Sequence, residues 1–333
     1  MSKSNQPSGG AWAAMADTFT EEYLSQRLFH LWQHSSPQKT FSIFKSICKK
    51  GLLLSRATKD LIDRFHYRRR DGRVDWFEVV QSPRVCFTDI PEDKLGAVTQ
   101  MYGRFAVGFS RSDILEWGGL PVWYLPNHRV PGALTDHGAS LVYWLYRTAQ
   151  IASFVLPRLI PTTGTKVTLG EEDFIDASNV DWYAKSMMEA AKGMGCFLKE
   201  MSSKSTDDHR YLYEREWRVV GGCTSDEFGD PCRKLEDAEK TELLKQRPEW
   251  SMPMESLDLR ITAQFSGERL IDSFRLFNGI PGRKTVCQAI EVVLVPDERF
   301  RDQVLRYVDV NGSRFRDGGP EVKIAPSAQG QGK

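Results

Sequence analysis

The sequence predicts an α+β fold, because its predicted strands come in bursts between helices and do not alternate regularly with them. Runs rich in β-branched and aromatic residues, typical of strands, occur at 27–32, 84–90, 105–110, 120–125, 211–220 and 288–296. Helical patterns occur at 37–50, 139–160, 182–201 and 298–307. The chain contains neither the glycine-rich dinucleotide fingerprint nor a P-loop, which excludes the two common phosphate-binding motifs.

The composition is that of an ordinary globular protein, with 333 residues of which 41% are hydrophobic and 27% charged. We expect one α+β domain over residues 19–311. Residues 224–258 are polar and poor in pattern, so we expect a loop-rich insertion there with a short helix. Residues 1–18 and 312–333 are predicted to be disordered tails.

The helix predicted at 37–50 has the clearest boundaries. Its apolar residues Phe41, Phe44, Ile47 and Cys48 recur at helical spacing. Gly51 follows directly and is expected to end the helix, since glycine is the residue most often found just after a helix C-terminus.

The most apolar segment, 139–160, is predicted to be a buried helix and not a membrane span. It contains Arg147 and Gln150 and is broken by Pro157. The N-terminus lacks the apolar core of a signal peptide. The six cysteines form no CxxC pair, which favours a reducing compartment without a disulfide framework. We therefore expect a cytoplasmic protein without membrane contact.

A cluster of arginines interrupts an otherwise balanced charge distribution. The net charge is +1, so the chain as a whole is not expected to attract nucleic acid. Arg68, Arg69, Arg70 and Arg73 lie close together in sequence and are candidates for contact with phosphates. A solvated basic loop is the alternative interpretation.

The strand predicted at 211–220 is the candidate site. Side chains of successive strand residues point to opposite faces, so Glu214, Glu216 and Arg218 share one face. That face begins with Leu212 and ends with Val220, which indicates partial burial. Half-buried carboxylates are costly unless a charged or hydrogen-bonding partner uses them. Pairing with a neighbouring strand is the structural alternative.

The order of these elements resembles the ADP-ribosyltransferase fold, a split β-sheet core that would here carry helical insertions. The pattern has His30 early, a helix closed by Gly51, strands around Phe87 and Phe105, and the late Glu-x-Glu pair. The distance in sequence from the early histidine to the late glutamates is long for a minimal core and requires those insertions.

Segments 86–91, 102–110, 121–124 and 214–218 together resemble the AbiGi family of abortive phage resistance proteins, over roughly residues 25–310. The resemblance implies a role in phage defence. It also implies a cognate toxin or antitoxin as a protein partner, because the family is labelled an antitoxin.

The ADP-ribosyltransferase resemblance implies NAD as substrate. Cleavage of the nicotinamide bond passes through an oxocarbenium-like sugar, which carboxylates stabilise. Glu216 would hold the ribose hydroxyl and stabilise that charge, and Glu214 would orient or deprotonate the acceptor. Glu291 is a second candidate for the key glutamate, although its strand is otherwise strongly apolar and an edge residue is the simpler interpretation.

The same resemblance implies four cofactor-binding residues. His30 would bind the ribose, and Tyr102 or Phe105 would stack on the nicotinamide. Arg218 would bind the pyrophosphate or hold Glu216 in place. Each has a structural alternative: His30 as a core histidine, and the aromatic residues as packing.

The ADP-ribosyltransferase resemblance also implies an aromatic or hydroxyl residue from a middle strand. Thr88, Tyr102 and Ser110 are all candidates for it, so this residue is not fixed. Two functions therefore remain open. One is an NAD-dependent ADP-ribosyltransferase-like effector, with NAD hydrolysis as a variant that differs only in the acceptor. The other is a non-catalytic antitoxin or regulatory component that binds a protein or nucleic acid.

Overall fold

The computed structural model describes residues 25–33, 36–56, 62–68, 73–125, 148, 166–168, 174–176, 193–200, 215–221, 231–254 and 267–326. Six α-helices lie wholly within these ranges. They are α1 (Pro37–Lys50), α2 (Gly96–Tyr102), α3 (Arg111–Glu116), α4 (Asp237–Gln246), α5 (Val286–Ala289) and α6 (Glu298–Val310).

Sixteen strands lie within the same ranges. They are β1 (Arg27–Trp32), β2 (Leu52–Leu54), β3 (Ile62–Arg68), β4 (Val74–Val80), β5 (Arg84–Thr88), β6 (Phe105–Ser110), β7 (Leu120–Pro121), β8 (Trp123–Leu125), β9 (Lys166–Thr168), β10 (Phe174–Asp176), β11 (Leu198–Glu200), β12 (Glu216–Val220), β13 (Cys232–Lys234), β14 (Arg275–Phe277), β15 (Ile290–Val295) and β16 (Glu321–Ile324).

Seven strands form the main sheet, in the order β16-β15-β6-β1-β5-β12-β7. Neighbouring strands in it are antiparallel, except that β15 and β16 run parallel. The mixed sheet and its helices confirm the predicted α+β class. The narrower ADP-ribosyltransferase-like arrangement stays a prediction.

The main sheet has a buried core on each of its faces. On one face, here called the α1 face, helices α1, α5 and α6 cover a large aromatic and aliphatic cluster. Its sheet residues include Trp32, Phe87, Phe105, Val107, Phe109, Trp217 and Val293. On the other face, here called the α2 face, Leu95 and Val98 pack on a smaller cluster that includes Phe29, Ala106, Val292 and Leu294.

Helix α1 has the predicted boundaries. Ser36 caps its first turn by accepting a hydrogen bond from the backbone N–H of Lys39, and Pro37 fits the first helical position. Gly51 follows with φ +98°, and its N–H donates to the carbonyl of Ile47. Phe44 is fully buried, which confirms that the helical pattern marks the core side.

Other predicted elements are confirmed at their centres. The strand predicted at 105–110 is β6, and the apolar run at 288–296 contains β15. The short helix after it is α6, which continues to Val310. The strand predicted at 84–90 is β5, which ends at Thr88.

Three predictions differ from the structure. Residues 120–125 form two short strands in different sheets, β7 and β8, separated by Val122. Residues 198–200 form β11, so the helix predicted to reach residue 201 ends before them. Residues 321–324, predicted to lie in a disordered tail, form β16 at the edge of the main sheet, where they hydrogen-bond to β15.

The segment expected to be a loop-rich insertion is ordered in its described part, residues 231–254. Strand β13 joins β14 and β2 in a three-stranded sheet, and α4 is the expected short helix. Leu235 and Met254 are buried with Leu270 and Phe274 in a small core of their own. This small core is built from short elements and turns, which agrees with the absence of a periodic pattern in the sequence of this segment.

Some predictions fall outside the described residues. They concern the tail at 1–18, the helix at 139–160 apart from residue 148, and the individual residues Glu214, Arg69 and Arg70.

Candidate functional site around Glu216

Strand β12 presents its two faces to different environments, as its alternating sequence predicts. Trp217 and Val219 are buried in the core of the α1 face. Glu216 and Arg218 lie on the α2 face, because Glu216 is paired with Thr88 and Thr88 with Phe29, and directly opposed residues of antiparallel strands share a face. Trp217 is thus a packing residue.

The Glu216 carboxylate is held by two cations of its own chain. Arg218 Nε lies 2.8 Å from Oε1, and Lys199 Nζ lies 3.0 Å from Oε2. The side chain of Glu216 is 11% exposed and that of Arg218 only 2%. This is a buried ion-pair network that joins β12 to β11, the strand carrying Lys199.

Arg218 is also satisfied by backbone oxygens. Its Nη1 donates to the carbonyls of Cys196, at 2.5 Å, and Leu198, at 3.5 Å. A buried guanidinium with these partners is fixed in place. This geometry agrees with a role in holding Glu216, and binding of a pyrophosphate by Arg218 stays a prediction.

The network sets the protonation of its members. Burial would raise the pKa of Glu216, but the charges of Arg218 and Lys199 and hydrogen bonds from Arg218 and Cys86 lower it to about 2. Burial and then the nearby Glu216 charge raise the pKa of the Cys86 thiol to about 12. At neutral pH Glu216 is ionised and Cys86 is a thiol that donates to it.

A second, partly buried ion pair joins Arg111 to Asp89. Arg111 Nη2 contacts both carboxylate oxygens of Asp89, at 2.8 and 2.9 Å, and donates to the carbonyl of Ser25 at 2.7 Å. Its guanidinium lies 5.2 Å from the ring centroid of Trp217. Burial outweighs these contacts and raises the pKa of Asp89. The pair links the start of β1 to the end of β5.

His30 lies on the opposite face of the sheet from Glu216. It follows Phe29 in β1, and its ring centroid lies 5.7 Å from that of Trp32 and 5.9 Å from that of Phe87, on the α1 face. Its Nδ1 donates to the carbonyl of Cys86 at 2.9 Å. Burial lowers its pKa, so the ring is neutral. His30 and Glu216 therefore do not converge on one ligand.

The two candidate stacking residues occupy different places. Phe105 is fully buried, with Trp32, Phe44 and Phe300 around its ring, so no face is free for a nicotinamide. Its position in the centre of β6 agrees with the structural alternative, a core residue, and stacking on a nicotinamide stays a prediction. Tyr102 is 47% exposed at the end of α2.

Glu291, the alternative key glutamate, lies at an irregularity in the pairing of β15 with β6. Its carboxylate pairs with Arg27, at 3.0 Å, and Arg316, at 3.5 Å. It borders two surface cavities of about 560 and 770 Å³, whose walls carry both cations and carboxylates. Because cations and carboxylates both line these cavities, their charge favours neither anionic nor cationic ligands.

A family model matches residues 53–242, more than half of the chain, under the description "Putative abortive phage resistance protein AbiGi, antitoxin". The chain belongs to the AbiGi family. Membership implies a role in abortive phage resistance, and the description as an antitoxin suggests a cognate toxin as partner. No curated protein and no solved structure matches this AbiGi protein.

The AbiGi match covers Glu216, Arg218, Lys199, Cys86 and Asp89, whereas His30 precedes it. Within the described ranges, no group of His, Cys, Asp and Glu side chains is arranged to hold a metal ion. No helix of these ranges is both long enough and apolar enough to cross a bilayer.

Sequence reasoning missed two members of the AbiGi network. Lys199 was included in a predicted helix, so nothing placed it beside β12. Cys86 was read only as an apolar residue. The alternation of β5 offered a signal for Cys86, since it lies two residues before Thr88 on the same face, but the pairing of β5 with β12 was needed to use it.

Proposed function

We propose that this AbiGi protein is the antitoxin of an abortive-infection pair and acts by binding a partner toxin, without chemistry of its own. The observation that carries the proposal is the way in which the carboxylate of Glu216 is bound within the fold. Both carboxylate oxygens are ion-paired within the chain, to Arg218 and Lys199. A glutamate so held is fixed within the fold, and a ribose hydroxyl would have to share its oxygens with Arg218 and Lys199.

The described residues do not fit NAD in the arrangement that the ADP-ribosyltransferase resemblance implies. His30 and Glu216 lie on opposite faces of the main sheet, and Phe105 is enclosed in the core. A binding role also agrees with the description of the family as an antitoxin.

Growth assays test the antitoxin role. The chain is expressed alone, and then with the toxin candidate encoded beside it, in the same host. We expect normal growth with the chain alone and relief of the arrest caused by the toxin candidate. Growth arrest by the chain alone that is lost in Glu216→Gln, but kept in Glu291→Gln, would overturn the proposal in favour of an effector.

An NAD-dependent transferase is the second candidate, favoured by one observation. Thr88 is paired directly with the ionised Glu216 on the α2 face, which gives a hydroxyl from a middle strand beside the late glutamate. Such an enzyme would need residues other than His30 to bind NAD.

Incubation with radiolabelled NAD and a cell lysate decides between the two candidates. For the antitoxin we expect no transferred label, no nicotinamide release and no thermal shift with NAD. A true binder would gain about 2.7 kcal/mol of stability at a hundred times its dissociation constant. Label transferred by wild type and by Glu291→Gln, but not by a folded Glu216→Gln, would establish the transferase.

A further inference from the structure

Strands β3 and β4 form a two-stranded ribbon that belongs to none of the larger sheets. Seven residue pairs hold it together, from Ile62 opposite Val80 to Arg68 opposite Val74. At about 3.4 Å per residue the ribbon is roughly 24 Å long. Arg73 directly precedes β4, at the end of the ribbon where Arg68 lies opposite Val74, and it is exposed.

The register separates the charges of the ribbon between its two faces. Arg64, His66 and Arg68 occupy alternate positions of β3 and so share one face, together with Trp76, which is paired with His66. The strand carboxylates Asp63 and Asp75 occupy register positions of the other face.

Glu78 is the one carboxylate at a register position on the arginine face within β3 and β4, and it is paired with Arg64 in the half nearer to the Ile62–Val80 pair. The half of that face nearer to the Arg68–Val74 pair therefore carries Arg68, His66 and Trp76 without a carboxylate, and Arg73 directly precedes Val74. A local excess of positive charge arises although the net charge of the chain is only +1.

We propose that this ribbon binds duplex DNA, with Arg64, Arg68 and Arg73 contacting phosphates. Guanidinium groups pair with phosphate oxygens in bidentate geometry. A two-stranded antiparallel ribbon fits the major groove of B-form DNA, whereas the major groove of A-form RNA is too deep and narrow for side chains to read. The ribbon lies inside the segment matched by the AbiGi family, so this site adds DNA binding to the proposed neutralisation of a toxin.

Fluorescence anisotropy with the full chain and a labelled duplex of about 20 base pairs, which exceeds the ribbon length, tests the proposal. The test variant is Arg64→Gln/Arg68→Gln/Arg73→Gln. The matched control, Arg299→Gln/Arg301→Gln/Arg306→Gln, removes the same charge from exposed positions of α6. A third variant, with lysine at the three ribbon positions, keeps the charge.

We expect the ribbon variant to bind at least about tenfold more weakly near 0.1 M salt, and the slope of log K against log salt to fall by about 2 to 3. The α6 control should bind nearly as wild type does. The lysine variant keeps the charge but loses the bidentate geometry, so it should keep the salt slope of wild type while binding more weakly. Circular dichroism confirms that each variant is folded.

Equal losses in the ribbon and α6 variants would overturn the proposal, because binding would then follow net charge alone. Tighter binding of single-stranded RNA than of the duplex would overturn the choice of DNA. Absence of duplex binding by wild type at low salt would also reject it. Rescue of growth from the toxin candidate tests the antitoxin role separately from DNA binding. We expect the ribbon variant to retain this rescue.

Discussion

Replacing Arg218 with Met should destabilise the protein by about 3–5 kcal/mol, the range measured when one partner of a buried ion pair is removed. The Arg218 side chain is 2% exposed, and its loss leaves the nearly buried Glu216 with Lys199 as its remaining cation. The carbonyl of Cys196 also loses its 2.5 Å donor. Methionine keeps most of the side-chain volume, so the change in the free energy of unfolding reports mainly the loss of the charge.

The control is Arg233→Met. Arg233 pairs with Glu239 through two hydrogen bonds, but its side chain is 48% exposed, and exposed pairs contribute about 0–1 kcal/mol. Urea unfolding followed by circular dichroism measures both variants. Similar losses for the two would show that the Glu216 network does not support the fold.

The dependence of the free energy of unfolding on acid pH gives an independent test of the same ion-pair network. The pKa of Glu216 is about 2 in the folded protein, against 4.5 as its ordinary value. A carboxyl with a lowered folded pKa stabilises fully above its unfolded pKa, and this contribution is lost as the pH falls from 4.5 towards 2. The shift corresponds to at most about 3 kcal/mol. Glu216→Gln should therefore flatten the pH dependence of unfolding in that window.

Replacing Gly51 with Ala should cost about 3 kcal/mol or more of stability. Gly51 has φ +98° and ψ −167°, a conformation that only glycine adopts readily. A Cβ there would lie 2.1 Å from the carbonyl oxygen of Phe277 and 2.8 Å from the Cα of Asn278. Both obstacles are backbone atoms of β14 or its neighbour, so neither can move without disturbing the pairing of β14 with β2.

Gly118→Ala is the matched control for this substitution. Gly118 also has a positive φ, +77°, but no atom lies within 4 Å of the position of a Cβ. We expect it to lose only about 1–2 kcal/mol, the cost of the left-handed backbone alone. Equal melting temperatures for the two variants would contradict the close approach of α1 to β14.

Elements defined by local pattern were predictable from the sequence. Helix α1 has a cap, an apolar stripe and a terminal glycine within one segment, and β15 is an apolar run interrupted only by Glu291. Strand β16 lacks such a signal, because a short strand of mixed polarity is recognisable only through its parallel pairing with β15. Lys199 was misplaced for the same reason, since β11 depends on its pairing with β8.

The candidate site shows how far the alternation of side chains along a strand can predict which residues come together. Alternation within β12 correctly separated Glu216 from Trp217. It did not tell whether His30 of β1 shares the face of Glu216, because that depends on the register of β1, β5 and β12 together. A shift by one residue moves every side chain of a strand to the other face. The assembly of residues from different strands into one NAD site was therefore beyond local reasoning.

The interleaved strand order of the main sheet constrains how the chain folds during synthesis. Strand β1 is synthesised before its neighbours β5 and β6, which follow only after α1 and the ribbon, and β15, the other neighbour of β6, is synthesised much later than β6. Until then the nascent chain exposes apolar strand edges, which favour misassembly and aggregation. A fragment limited to residues 53–242 would lack the strands on both sides of β6, so we expect it to be recovered as aggregates.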